Sequence, residues 1–418
     1  MTTTNAPPLA LRRQPRFTRW FVADTSTRVA ASLTTLVMPL LAVSVLSSPT
    51  QAGFVVAAAG VGASLGLLPG GVLADLCDRR LVVLGCAVTS VLLYLLVSLT
   101  VNGGSTTPAV LAALLLGIGL CSTLSAPAFT ATLKGILDPR QFGSAVSATE
   151  GRSAAIALVM PALGAAMFGA WAVLPFLLAA AAVAVSAATF FRVGDTRSRG
   201  IDGANDRSCD RPRQAAPLAG LRFVLGHPVL RPLLVAGMLV NVVGSAVLAT
   251  VVFQLHRQGS PPATIGLLGT AVAIGALCGA AVSPMLLARV RSGVLLIVGL
   301  TWIAAWLLPL IVTDSPALII VFVAVGTFAA PAVNAVMGGC TVAAVPAQLQ
   351  GRADAAISFT STLAMPLAPI IAGVGIEHLG FQPTVLALAV LVQLSILPCV
   401  ISSPVRQLST AADWPREP

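Results

Sequence analysis

Apolar stretches of about twenty residues alternate with short polar gaps along the whole chain, and each is long enough to cross a hydrocarbon core as a helix. Bounded by charge, Gly and Pro, they fall at 17–46, 51–73, 81–101, 107–132, 142–168, 171–191, 229–254, 262–287, 293–313, 316–338, 351–376 and 381–402. The pattern predicts an all-α polytopic membrane protein with twelve transmembrane helices. The first run is far longer than the 7–15-residue apolar core of a signal peptide, so it is expected to stay as a span. One long polar stretch interrupts the series at 192–228, beginning "RVGDTRSRGIDGANDRSCDRPRQ", and reads as a linker. Its end, "LAGLRFVLGHPVL" from Leu218, spaces apolar residues as a helix does, with Arg222 opposed. A short amphipathic helix lying on the membrane surface is expected there.

A linker at the middle of twelve spans predicts two six-helix bundles, at 17–191 and 229–402, with tails at 1–16 and 403–418. The halves align with each other. "FGSAVSATEGRSAAIALVMPALGAA" from Phe142 pairs with "QGRADAAISFTSTLAMPLAPIIAG" from Gln350 at an offset of 208 residues, setting Pro161 over Pro369. At an offset of 209, "GLLPGGVLADLCDRR" from Gly66 pairs with "GALCGAAVSPMLLAR" from Gly275. Pseudo-repeated halves are the expected architecture of a secondary transporter with its site near midplane.

Composition agrees with the pattern: 57% of residues are hydrophobic and only 9% are charged. The net charge of +10 does not mark a nucleic-acid groove, because all but two of the cations, Arg28 and Arg152, sit in or next to gaps and tails. Arg12, Arg13, Arg16 and Arg19, then Arg79 and Arg80, Lys134 and Arg140, the arginines from Arg192 to Arg231, Arg289 and Arg291, Arg352, Arg406 and Arg416 all fall on one side of a twelve-span chain. Arg257 alone falls on the other. The positive-inside rule then puts both termini and the linker in the cytoplasm. Seven cysteines, without CxxC spacing and mostly inside apolar runs, predict neither a disulfide framework nor a metal site. No cofactor is expected.

The stretch "GGVLADLCDRR", Gly70 to Arg80, puts four charges between the second and third runs. It resembles the loop signature G-x-L-A-D-R-x-G-R-R of the major facilitator superfamily, with Gly71, Leu73, Ala74, Asp75, Arg79 and Arg80 in register. Leu76 and Asp78 depart from it. The resemblance implies a cytoplasmic gate of Gly71, Asp75, Arg79 and Arg80, in which the acid helps to hold the inner side closed. "GLRFVLGHPVL" is similar to the twelve-span drug-efflux branch of that superfamily, which contains macrolide and enterobactin exporters. "MPALGAA" from Met160 resembles the antiporter signature G-P-x-x-G-G at Pro161 and Gly164. The arginine that family antiporters often carry in the fourth span is absent from "LLLGIGLCSTLSAP". Gly62, Gly66 and Gly70 recur on one face of the second span and predict close packing against another helix.

Ionisable groups inside spans are costly and mark functional candidates. They are Asp24 and Arg28 in the first span, four apart and able to pair locally, and Glu150 and Arg152 in the fifth, which point to different sides. Glu150 is the first candidate for a proton-coupling carboxylate and Asp24 the second. Asn241, Gln254 and Asn334 are candidates for lining the path, in a cavity otherwise expected to be walled by Phe, Met, Leu and Trp. ATP hydrolysis is excluded, since the chain's one lysine, Lys134, lies in "TLKGI" and not in a P-loop. His227, His256 and His378 are scattered, no HExxH or GxSxG occurs, and no pore-filter motif repeats. An enzyme and a channel are therefore not expected. The expected protein is a monomeric, proton-coupled exporter of hydrophobic or amphipathic small molecules in a bacterial-type inner membrane, with multidrug resistance as the phenotype. The alternatives are a siderophore exporter of the same fold and a non-transporting membrane sensor.

Overall fold

The computed structural model describes residues 14–104, 106–137, 141–193, 216–346 and 349–410. Most of the linker, both extreme tails, Arg12, Arg13, Arg140, Cys209 and Arg416 lie outside the described residues, as does the side chain of Asp75. Among the described residues, twelve helical segments are long and apolar enough to cross a membrane. The protein is a multi-pass, all-helical membrane protein. Large apolar side chains such as Val72, Val88 and Leu99 are more than half exposed, a surface that water would penalise and lipid covers.

The first six spans are α1 (Pro15–Val45), α2 (Pro49–Leu76), α3 (Arg79–Asn102), α4 (Pro108–Ile136), α5 (Phe142–Ala170) and α6 (Leu174–Phe191). A short helix, α7 (Ala216–Gly226), precedes α8 (Leu230–Arg257) and α9 (Pro262–Arg289). The next three spans are broken. The ninth is α10 (Ser292–Ala305) followed by a 3-10 turn at Leu308–Ile311, the tenth is α11 (Pro316–Thr327) with α12 (Ala330–Ala344), and the eleventh is α13 (Gln350–Ala364) with α14 (Leu367–His378). The last are α15 (Phe381–Ile401) and a terminal turn, α16 (Ser403–Arg406). The breaks fall at Pro309, Pro331 and Pro366, where a missing N–H frees a carbonyl one turn back and the backbone tightens. The Phe328 amide thus bonds to Val325, and that of Met365 to Thr362, three residues back instead of four.

Two compact units result, Met1–Val37 with Val61–Asn205, and Met38–Gly60 with Asp206–Pro418. In the first, the stripe of Gly62, Gly66 and Gly70 packs on the α4 backbone at Leu116, Leu120 and Thr123. A Cβ on Gly66 would stand 2.6 Å from the Leu120 carbonyl oxygen. Thr123 donates across the same contact to the Ala63 carbonyl at 2.8 Å. The second unit repeats the joint: Gly275 and Gly279 pack on Ala324 and Phe328, and Thr327 donates to the Val272 carbonyl at 3.4 Å. This shared interlock sets the register between α4 and the α11–α12 span.

The helix α7 forms in the segment where the sequence predicts a short helix, and it packs on α13, with Gly220 against the Arg352 carbonyl and Val224 in a cluster with Leu230, Val345 and Ala353. At its end, His227 accepts the Val229 and Leu230 amides through Nδ1 at 3.2 and 3.3 Å, capping α8. Burial holds its pKa below the ordinary histidine value. Arg257, at the end of α8, donates to the Ile376 carbonyl at the end of α14.

Candidate functional site

Three places carry the polar chemistry. The first is a cluster in the first unit. Asp24 sits inside α1 with its side chain 10% exposed, and its carboxylate accepts from Arg28 Nε, one helical turn on, at 2.9 Å. The same oxygen accepts from Arg152 Nη2 of α5, whose side chain is 9% exposed. Arg152 also donates to Thr25 Oγ1 at 3.0 Å and to the Phe21 carbonyl at 3.3 Å, and its guanidinium stands 4.6 Å from the centre of the Phe21 ring. Its Nε is buried without a partner among the described residues. Gly164 makes this approach possible further along the same helix pair, since a Cβ there would collide with the Leu33 carbonyl. Pro161, the other residue of the antiporter-like motif, is buried one turn away in α5.

The cluster holds one carboxylate and two guanidiniums, one buried and one, Arg28, 53% exposed. It ties α1 to α5 and leaves a surplus positive charge at its exposed end. The local pairing of Asp24 with Arg28 was readable from spacing, whereas Arg152 as a second partner was not. Glu150, two residues from Arg152, points elsewhere: it is exposed and has no ion pair among the described residues. Protonating Glu150 breaks no salt bridge among them, while protonating Asp24 strips a buried arginine of its counter-ion.

The second place is a cavity of about 230 Å³ inside the second unit, bounded by α8, the end of α10, the α11–α12 break and α15. Asn241 and Asn334 both line it; Gln254 does not. Its wall is mainly Val and Leu with Phe322.

The third place is the pair of span ends. At the α2–α3 turn, Asp78 caps α3 by accepting the Arg80 amide at 2.9 Å, and Arg80 stacks on Phe191 with its guanidinium 3.8 Å from the ring centre. Arg79 Nε reaches the Ala74 carbonyl at 3.4 Å, and a Cβ on Gly71 would meet open space. Asp78, a departure from the family signature, thus has a structural task. At the opposite end of α2, Glu377 of α14 accepts from the Ser48 hydroxyl and from the Thr50 amide, the latter at 2.8 Å. Gly53 and Gly373 bring the two backbones together beneath it. Sequence reading gave Glu377 no role, because it lies at the edge of a span, where a solvated acid is unremarked.

A profile of the Major Facilitator Superfamily matches residues 21–260. The enterobactin exporter EntS of Salmonella choleraesuis (strain SC-B67) is 27% identical over 295 residues, covering 69% of this chain and 68% of that protein. The enterobactin exporter EntS of Salmonella typhi matches to the same extent. Among solved structures, a bacterial homologue of the human lysosomal transporter Spinster, inward-facing and unoccupied, superimposes with a TM-score of 0.75 at 13% identity, over 98% of this chain and 100% of that one. A bacterial homologue of the iron transporter ferroportin, also inward-facing, gives 0.71 at 16% identity, over 94% and 100%. The nucleoside transporter NupG gives 0.66 at 12% identity, over 94% and 100%. At these identities the structural likenesses establish the fold alone.

Proposed function

The chain belongs to the major facilitator superfamily, a family of membrane transporters and not of enzymes, and from that premise we propose that it exports hydrophobic or amphipathic small molecules in exchange for protons. The observation that carries export is the likeness to enterobactin exporters over two thirds of the chain. The same likeness supports a second reading, in which the solute is a siderophore. The alternation of cations between gaps supports an inner-membrane protein with both termini cytoplasmic. The protein acts as a monomer in this reading.

Coupling is assigned to Glu150, the carboxylate of α5 that is exposed and has no cation partner among the described residues. Asp24 is assigned a different task, holding Arg152 and thereby fixing α5 on α1 while Glu150 changes charge. Arg28, the exposed end of that cluster, is the group available to an anionic part of a solute. Asp75, Arg79 and Arg80 with Gly71 form the cytoplasmic gate, the two arginines fixed near the α2–α3 turn by the contacts described above. One proton moving down about 100 mV supplies about 2.3 kcal/mol, enough for roughly 50-fold accumulation of a neutral solute.

The test is accumulation of a fluorescent lipophilic cation in cells expressing wild type or Glu150→Gln, with and without a protonophore. Export coupled through Glu150 gives low accumulation that rises when either the gradient or the carboxylate is removed. Unchanged accumulation throughout sinks the drug reading, and release of a catecholate siderophore by producing cells then tests the second.

A further inference from the structure

The cavity of the second unit has a counterpart in the first, and the two differ in one informative respect. The first-unit cavity, between α1, α3, α4 and α6, has only about 50 Å³ and is walled by Tyr94 and Phe129, both buried. The glycine interlock sets Gly66 and Gly70 on Leu120 and Leu124 in one half, and Gly275 and Gly279 on Ala324 and Phe328 in the other. In that register Val333 of α12 takes the place of Phe129. The ring at the Phe129 position is therefore replaced by a valine in the second half, while Phe322 stands where Ile118 lines the first. The breaks after Ala305 and Thr327 adjoin this cavity, whose volume is about 230 Å³.

The walls state what the space accepts. An apolar cavity of about 150 Å³ already admits benzene, so this one holds a substituted ring but not a whole drug-sized solute. No charged side chain lines it, and a carboxylate or ammonium there would lack a counter-ion. Its polar groups are mostly engaged. Thr327 donates to the Ala324 carbonyl, Ser245 to the Met365 sulfur at 3.8 Å, and Asn241 Nδ2 to the Gly237 carbonyl at 2.9 Å. The amide of Asn334 has no partner among the described residues, and it is exposed on the cavity wall. Phe322 supplies an aromatic face, backed by Trp306 with ring centres 6.0 Å apart.

We propose that this cavity is a binding site for an uncharged ring carrying a hydroxyl or carbonyl, the ring standing where the Phe129 ring stands in the first half and the oxygen pairing with Asn334. The proposal rests on the export reading for its source of ligand: the ring is a moiety of the exported solute. Asn241 Oδ1 is the second acceptor at the wall.

The test uses the purified full chain in nanodiscs of defined phosphatidylcholine, with benzophenone as probe. It is neutral, aromatic and carbonyl-bearing, and on irradiation it labels what it touches. Adducts are expected to concentrate on α8 and on the α11–α12 span. Gly244 lines the cavity, and a Cβ there meets nothing within 4 Å, so Gly244→Leu can direct its side chain into the space. It should cut labelling about tenfold or more, the equivalent of losing the burial of one ring. Phenol should compete better than toluene in wild type, and the two should compete equally in Asn334→Leu, a readout that a merely structural asparagine would not move.

Adducts spread over the lipid-facing helices, or undiminished in Gly244→Leu, overturn the proposal. So does a phospholipid that native mass spectrometry finds on wild type and not on Gly244→Leu while export by the variant is normal, since the occupant is then an acyl chain. Export that persists with an unlabelled cavity removes this inference alone. A cavity that labels and discriminates as expected in a protein that exports nothing retains the site and removes the export reading.

Discussion

The Asp24 cluster makes an asymmetric prediction. Asp24→Ala leaves Arg152 buried with no counter-ion, and breaking a buried pair in this way costs about 3–5 kcal/mol. The structure points to the lower end, because Arg152 keeps Thr25, the Phe21 carbonyl and the Phe21 ring. Arg152→Met should cost less, about 1.5–3 kcal/mol, the worth of a charged hydrogen bond, since Asp24 still has Arg28 at 2.9 Å. Arg28 contributes about 0–1 kcal/mol on its own, being more than half exposed. The double variant Asp24→Ala with Arg152→Met buries no charge and should cost well under the sum, with a coupling of about 2–3 kcal/mol. Equilibrium unfolding in mixed micelles with rising SDS fraction measures all four corners of the cycle. Additivity within about 0.5 kcal/mol, or a larger loss from Arg152→Met than from Asp24→Ala, refutes the assignment of Asp24 as the counter-ion of a buried arginine.

Packing, capping and topology each give a further outcome. Gly66→Leu should lower the melting temperature sharply, its side chain being driven into the α4 backbone, whereas Gly71→Ala, with open space around it, should melt as wild type; equal effects would contradict the packing described. The His227 cap should make stability fall with acid: its folded pKa lies below the ordinary 6.5, so its contribution is complete above that value and is lost as pH drops beneath it. Melting curves from about pH 7.5 down to about 5 should show this slope, reduced in His227→Gln. A variant keeping only Cys77, exposed at the α2–α3 turn, should react with an impermeant maleimide in inverted vesicles and not in intact cells, and the reverse would invert the topology.

The twelve spans were legible because a bilayer imposes a length on every apolar run, and the observed helix ends stay within a few residues of most of the predicted ones. The breaks in three spans were not. A run such as "VAVGTFAAPAVNAV" is continuous in hydropathy, and only the missing N–H of Pro331, with the carbonyls it frees, interrupts it. In the cluster, the Asp24–Arg28 pair is a property of one helix and so could be read from spacing. The Asp24–Arg152 pair depends on how α5 lies on α1, which sequence separation hides; Gly164 was the available signal, a small residue further along the same contact. Asn241 and Asn334 were singled out separately, and that both line one cavity required the fold. The cavity itself is an absence of side-chain volume, and an absence leaves no motif.

The residues Met38–Gly60 are encoded with the first six helices yet group with the second unit, where Gly53 meets Gly373 and Glu377 holds Ser48 and Thr50. A gene cut at the linker would therefore not cut the molecule at its seam. The C-terminal fragment would lack its covering hairpin tip and leave the α14 glycine face and the Glu377 carboxylate bare. The N-terminal fragment would carry that tip with nothing to close on. Co-expressing the two pieces should restore what either lacks, because the tip acts as a clasp that the first half lends to the second.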